Sequence, residues 1–259
     1  MKLVNRILSL GFTFILLSIA ASAVTFNVNT TNDTPDFSPG NGACADNLGA
    51  CSFRAAIDEA NALAGDDTIV LPAGTYTQTL VAADDDNNAG GDWDLRSNIT
   101  INGAGAATTI LQADVFQDVA TERVLESALG TNVVSISGVT IRHGKKTGIT
   151  SPTTGGGGIR NREGTMSIAN SVVTLNKATG GAGIYNSGNI TLTNVQATTN
   201  TCRAATLCAG GGIFNNLATT KSINISGSDL SGNTIDPDHS VSFRGASFAG
   251  GFGVDGIAA

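Results

Sequence analysis

The chain has 259 residues, of which 33 are glycine, 14% are charged and 5% are aromatic, and it carries a net charge of −7. Ordinary globular domains carry about 25% charged residues. An acidic chain is also repelled by nucleic acid and by anionic membrane surfaces, so the composition argues against both as partners and is compatible with a secreted protein and with divalent cations.

The first residues read as an export signal. Lys2 and Arg6 precede an almost continuous apolar run from Ile7 to Ala21, and Ala21-Ser22-Ala23 supplies a small-x-small cleavage pattern. Residues 1–23 are therefore expected to be a cleavable signal peptide, cut near Ala23, which directs the chain to the cell surface or the medium. The apolar run falls short of the roughly 20 residues that a spanning helix needs. No later segment is long and apolar enough either, so the mature chain is expected to have no membrane span.

Residues 24–65 differ in character from the rest of the mature chain. Thr25 to Asn29 has the pattern of a strand, and Asn32 to Gly49 is a polar loop. Ser52 to Ala64 reads as a helix, with Ser52 as N-cap, Gly65 as stop, and Phe53, Ala56, Ile57, Ala60 and Ala64 on one face. Four cysteines form two local pairs, Cys44/Cys51 and Cys202/Cys208. In an exported chain these favour disulfides, and the nearest-neighbour pairing is the simplest of the three possible. A zinc site lacks a CxxC and has only His143 and His239 to draw on.

Past residue 65 the chain repeats. Ile69-Val70-Leu71 and Ile99-Thr100-Ile101 are early, looser copies. The stretch between them, Asp84 to Asp94, is dense in acids. It is either a plain acidic loop or a structural Ca²⁺ site through Asp84, Asp86, Asp92 and Asp94, because alternating carboxylates with Asn and Gly suit an oxygen-ligated cation. Four later segments overlay without gaps: Val134 to Gly144, Met166 to Asn176, Ile190 to Asn200 and Ile223 to Asn233. In each, inward residues at i and i+2 define a strand. A three-residue step then bends the chain into a second short strand and a closing turn, where Asn or Gly tolerates the left-handed conformation. Before these segments come Gly156-Gly157-Gly158-Ile159-Arg160-Asn161, Gly181-Ala182-Gly183-Ile184-Tyr185-Asn186 and Gly210-Gly211-Gly212-Ile213-Phe214-Asn215, a second fixed register. A sandwich or barrel would need hairpin turns every 8–12 residues or so. The fixed register instead predicts an all-β fold: a right-handed parallel β-helix over residues 66–259, capped at its N-terminal end by the short helix. The last residues, Gly251 to Ala259, resemble the start of another turn. The array is thus expected to be truncated there and to self-associate through an open C-terminal end.

The cap also resembles a known family. Cys51-Ser52-Phe53-Arg54-Ala55-Ala56-Ile57-Asp58-Glu59-Ala60-Asn61 is similar to the CSLREA domain motif of secreted bacterial β-helix proteins, with Phe53 in place of Leu and Ala55 in place of Glu. Asp67 to Tyr76 and Asn98 to Gly105 are similar to its usual continuation. The resemblance implies a secreted or surface location and no defined reaction.

Residues for chemistry are sparse. Many polysaccharide lyases and hydrolases use a β-helix, yet activity must be read from sites, not folds. Outward positions of the repeats are mostly Ser, Thr, Asn and Gln. Arg142-His143-Gly144-Lys145-Lys146 is a basic turn that could hold a base or bind an acidic sugar but reads first as a solvated turn, and Asp236-Pro237-Asp238-His239 reads as a loop. No catalytic residue is assigned. The expectation is a non-catalytic adhesin, matrix component or glycan-binding module, with a polysaccharide or cell-surface glycan as partner. The alternative is a polysaccharide lyase or glycoside hydrolase on the same fold.

Overall fold

The structure, a computed structural model, describes residues 22–80, 86–127, 130–147, 155–203, 210–216 and 221–235. The expected signal peptide up to residue 21, Asp84, Cys208, the Asp236–His239 loop and the expected C-terminal turn lie outside these residues. No helix among the described residues is long and apolar enough to cross a membrane.

Four parallel sheets wind into a solenoid. A seven-stranded first sheet runs Thr25–Asn27, Asp66–Leu71, Asn98–Gly103, Val133–Ser137, Thr165–Ala169, Asn189–Thr193 and Ile223–Ser226. The second has five strands, Gly74–Thr77, Thr109–Gln112, Thr140–Arg142, Val172–Thr174 and Gln196–Thr198. The third has four, Lys145–Lys146, Lys177–Ala178, Thr201–Cys202 and Thr234–Ile235. The fourth has five, Trp93–Leu95, Leu125–Ser127, Ile159–Asn161, Ile184–Asn186 and Ile213–Asn215.

The overlay made from sequence is the observed register. Val134, Met166, Ile190 and Ile223 pair across the first sheet, as do Ile136, Ile168, Leu192 and Ile225. Most of these side chains are fully buried, and each contributes roughly 1.5–3 kcal/mol by leaving water. The looser early copy is displaced. Ile69 sits opposite Ile101, not Ile99, and Asp67 takes the inward place opposite Ile99. Asp67 Oδ1 accepts the Val24 N–H at 2.8 Å, at the start of the neighbouring parallel strand, while its Oδ2 is buried without a hydrogen-bond partner.

The turns refine the expectation in a second way. The left-handed residue of the closing turn is not the Asn but the residue before it: His143, Leu175 and Thr199 all have positive φ. Left-handed Leu and Thr cost about 1–2 kcal/mol each. Asn176, Asn200 and Asn233 turn inward instead and form a buried ladder. Asn176 Nδ2 donates to Asn200 Oδ1 at 3.0 Å, and Asn200 Nδ2 donates to Asn233 Oδ1 at 3.1 Å. Asn161, Asn186 and Asn215 make a second ladder in the fourth sheet. The glycine triplets have a steric cause. A Cβ on Gly158 would lie 2.6 Å from the Gly183 carbonyl oxygen, and one on Gly183 would lie 2.5 Å from that of Gly212.

The helix spans Phe53–Ala62, with the Ser52 hydroxyl accepting the Ala55 N–H. It ends before the expected Ala64, which is exposed, because Leu63 is already extended. Phe53, Ala56, Ile57 and Ala60 cover the first turn, and Phe53 meets Trp93 edge-on at 4.9 Å between ring centroids. Cys44 and Cys51 are disulfide-bonded. Cys202 is also in a disulfide; its expected partner, Cys208, lies outside the described residues.

Candidate functional site

The fourth sheet carries the chemistry. Its three-residue strands point their flanking side chains inward, so the middle residue points out. The register stacks Asp94, Glu126, Arg160, Tyr185 and Phe214 into one outward column. Arg160 lies over the Tyr185 ring, and Tyr185 packs on Phe214 at 5.6 Å. Although they point outward, Asp94 and Glu126 are only 2% and 1% exposed, because the segment 86–92 and Arg162 fold over them.

Three carboxylates meet there. Oxygens of Asp86, Asp94 and Glu126 all lie within 4.8 Å of one another. Arg162 Nη1 sits among them, 2.6 Å from Asp86 Oδ2 and 3.1 Å from Glu126 Oε1. Burial alone would lower the Arg162 pKa, but Asp86 and Glu126 outweigh it and hold the guanidinium more firmly charged than usual. Glu126 also accepts from Arg160 at 3.3 Å and pairs with the buried Arg123, which reaches Asp92 Oδ2 at 3.1 Å. Asp94 Oδ2 accepts the Asn88 N–H at 2.8 Å.

Of the aspartates expected to bind Ca²⁺, Asp86 and Asp94 come together, Asp92 turns to Arg123, and Asp84 lies outside the described residues. Glu126 joins from the next turn. A Ca²⁺ ion takes about six to eight oxygens; here it would have to displace Arg162, which already stands between Asp86 and Glu126. Residues 86–92 form a loop, as the acidic-loop reading expects, but its end is not free of the coil: Asp92, Trp93 and Asp94 are buried, and Trp93–Leu95 is a strand of the fourth sheet.

A second layer ties the cap to this cluster. Arg54, fully buried, grips Asp33 through Nε at 2.7 Å and Nη2 at 3.2 Å. It also donates to the carbonyl oxygens of Asn88 at 3.0 Å and Gly91 at 2.8 Å. Asp33 further accepts from the Trp93 indole and from the Thr79 and Leu80 N–H groups. Asp58 accepts from the Asp36 N–H and from Asn88 Nδ2, while burial pushes its carboxyl above the usual range. Glu59 accepts three backbone N–H groups, from Gly40, Asn41 and Gly42.

The basic turn is also corrected. His143 is buried with Nδ1 2.9 Å from the Asp114 carbonyl oxygen, Lys146 pairs with Glu122, and Arg142 Nε donates to Gln112 at 2.9 Å. His143 is thus drawn into the coil, while Arg142, Lys145 and Lys146 stay partly exposed along its side.

Sequence reasoning missed Arg54, Arg123, Glu126 and Arg162. One signal was present: carrying the Ile-x-Asn register backwards places Trp93-Asp94-Leu95 and Leu125-Glu126-Ser127 under it, and so puts Asp94 beside Glu126. Compared with protein-family models, curated proteins and solved structures, the sequence gives no match.

Proposed function

We propose that the chain is a secreted or surface-exposed, non-catalytic β-helix of the CSLREA type that holds glycan. Export rests on the signal-like residues 1–23, and the disulfide Cys44–Cys51 fits an oxidising compartment. The observation that carries the non-catalytic reading is the state of Asp94 and Glu126. They are close enough to resemble a retaining glycosidase pair, whose carboxyls lie about 5–5.5 Å apart. Each is buried, and Glu126 is paired with three arginines. A catalytic acid must reach its substrate and exchange a proton with it; this arrangement favours neither.

The test is incubation of the secreted protein with neutral and uronate polysaccharides, followed by reducing-end and unsaturated-uronate assays alongside a retention assay. Retention without new chain ends is the expected result. Chain cleavage that disappears in Glu126→Gln would overturn the proposal and favour the second reading, a carbohydrate-active enzyme whose Asp94–Glu126 pair opens when Arg162 moves away.

A further inference from the structure

The four sheets differ in what they offer a partner. The fourth carries Glu126 and Arg160, the second carries Arg142, and the third carries Lys145 and Lys177. Among the described strand residues facing out from the first sheet, only Asp66, at its first-turn edge, is charged. The centre of that face is a single column in continuous register: Thr68, Thr100, Ser135, Ser167 and Thr191. All five are partly exposed.

The columns on either side are cross-linked within the chain. Ser137 Oγ donates to Asn102 Oδ1 at 3.0 Å, Asn98 Nδ2 to Asp66 Oδ1 at 2.8 Å, and Asn189 Nδ2 to Thr165 Oγ1 at 3.5 Å. Among the described residues, none of the five central hydroxyls has a side-chain partner. Each is both donor and acceptor, and they repeat every ~4.8 Å from strand to strand.

We infer that the outer face of the first sheet is the glycan-docking surface, and that its partner is the ordered surface of an uncharged, insoluble polysaccharide. This rests on the glycan-holding function proposed for the chain. With Asp66 at its edge the only charge among the described strand residues of this face, in a chain of net charge −7, the surface has no cation for uronate or sulfated polymers and suits neutral ones. A row of identical weak donors and acceptors, with no charged or aromatic anchor among them, gives little to a small ligand. A net hydrogen bond contributes about 0.5–1.5 kcal/mol, and a flexible soluble chain loses ordering entropy at each contact. A solid surface has already lost that freedom, and its repeated hydroxyls meet several of the column at once.

The experiment is co-sedimentation of the secreted protein with microcrystalline cellulose and chitin, and with calcium pectate gel, at low salt and at 1 M NaCl. Retention on a neutral solid, unchanged by salt, is expected. The double variant Ser167→Lys/Thr191→Lys should weaken it at least tenfold. Thr174→Lys/Thr198→Lys, on the second sheet, should retain it. Circular dichroism melting of both variants separates a lost surface from a lost fold, since outward lysines on a strand should leave the midpoint near wild type. Retention that the first-sheet lysines leave unchanged, or retention on pectate alone that salt abolishes, would overturn the docking surface and leave the glycan-holding reading standing. No retention on any glycan would overturn both.

Discussion

Around Trp93 the solenoid is held by charge: Arg54 joins the helix to Asp33 and to the carbonyls of Asn88 and Gly91, and Arg123 joins Asp92 to Glu126. From Ala178 to Thr201 the chain contains no charged residue at all. There the same fold is held by aliphatic columns and by the Asn176–Asn200–Asn233 ladder. The two regions solve different problems. A central turn has a like neighbour above and below, so identical residues in register satisfy both faces. The first turn has a neighbour on one side only and must bind an unlike element, the cap. Buried ion pairs suit that task because they are costly unless complete, so they select one docking geometry.

Leu192→Asp tests the central region and has the largest expected effect. Truncating a buried Leu costs about 2–5 kcal/mol, and a buried carboxyl without a partner adds to that. Because each turn contacts only its neighbours, hydrogen exchange should show lost protection between about Met166 and Ile225, with the helix little changed. Melting like wild type would break the column Ile168–Leu192–Ile225.

Arg54→Met tests the first turn. It leaves Asp33 buried without its cation, a change that costs about 3–5 kcal/mol. Protection should fall at Thr79 and Leu80, whose N–H groups bond Asp33, and in segment 86–92. The amides of Asn176 and Asn200 should keep theirs. Equal loss in both regions would show that cap and coil unfold as one unit, and the comparison would fail.

Asn200→Ala is smaller. Asn200 Oδ1 accepts from the Asn176 backbone and side chain, and its Nδ2 donates to the Val173 carbonyl oxygen at 2.9 Å. An orphaned buried group costs about 1–3 kcal/mol. The Asn176 amide should exchange faster, while a denaturation midpoint equal to wild type would make the ladder dispensable.

The same contrast explains what the sequence disclosed. Val134, Met166, Ile190 and Ile223 were legible because repetition writes the spatial neighbour into the chain at a fixed offset. The helix was legible from Ser52 and the spacing of Phe53, Ile57 and Ala60. The displaced register of Ile69 was not, because a polar Asp67 fills the inward place, where its partner is the Val24 N–H of the neighbouring strand rather than a residue of the repeat. The ion cluster was hidden for a related reason. Its members are brought together by insertions of unequal length, Arg54 and Asp33 face each other through a loop with no repeat, and Glu126 reads as an isolated acid until the fourth-sheet register is carried back to Trp93.

pH provides the finest test, because only one of the two regions can respond to mild acid. In the cap, Asp46 accepts the Ala50 and Leu48 N–H groups at 2.9 Å each and the Thr34 hydroxyl at 2.9 Å. These hydrogen bonds hold its carboxyl below the ordinary value of 3.8. A depressed carboxylate contributes stability that is present above the ordinary pKa and is lost as pH falls through the lower, folded one. Asp58 runs the other way: burial raises its pKa above 3.8, so its ionisation opposes folding at neutral pH and that penalty is relieved as pH falls through the raised value. The two partly cancel in wild type, and single variants separate them. Asp46→Asn should show a constant deficit above about pH 5 that narrows below the ordinary carboxylate range. Asp58→Asn should remove a destabilising contribution that wild type shows only at higher pH. From Ala178 to Thr201 no carboxylate is present, so the protection of Asn200 and Leu192, corrected for intrinsic exchange, should stay level as pH falls from about 6 to about 3, while that of Ala50 and Leu48 drops once pH passes below the ordinary carboxylate range. A parallel change at Leu192 would mean that the cap's charges reach the central turns and that the two regions are energetically one.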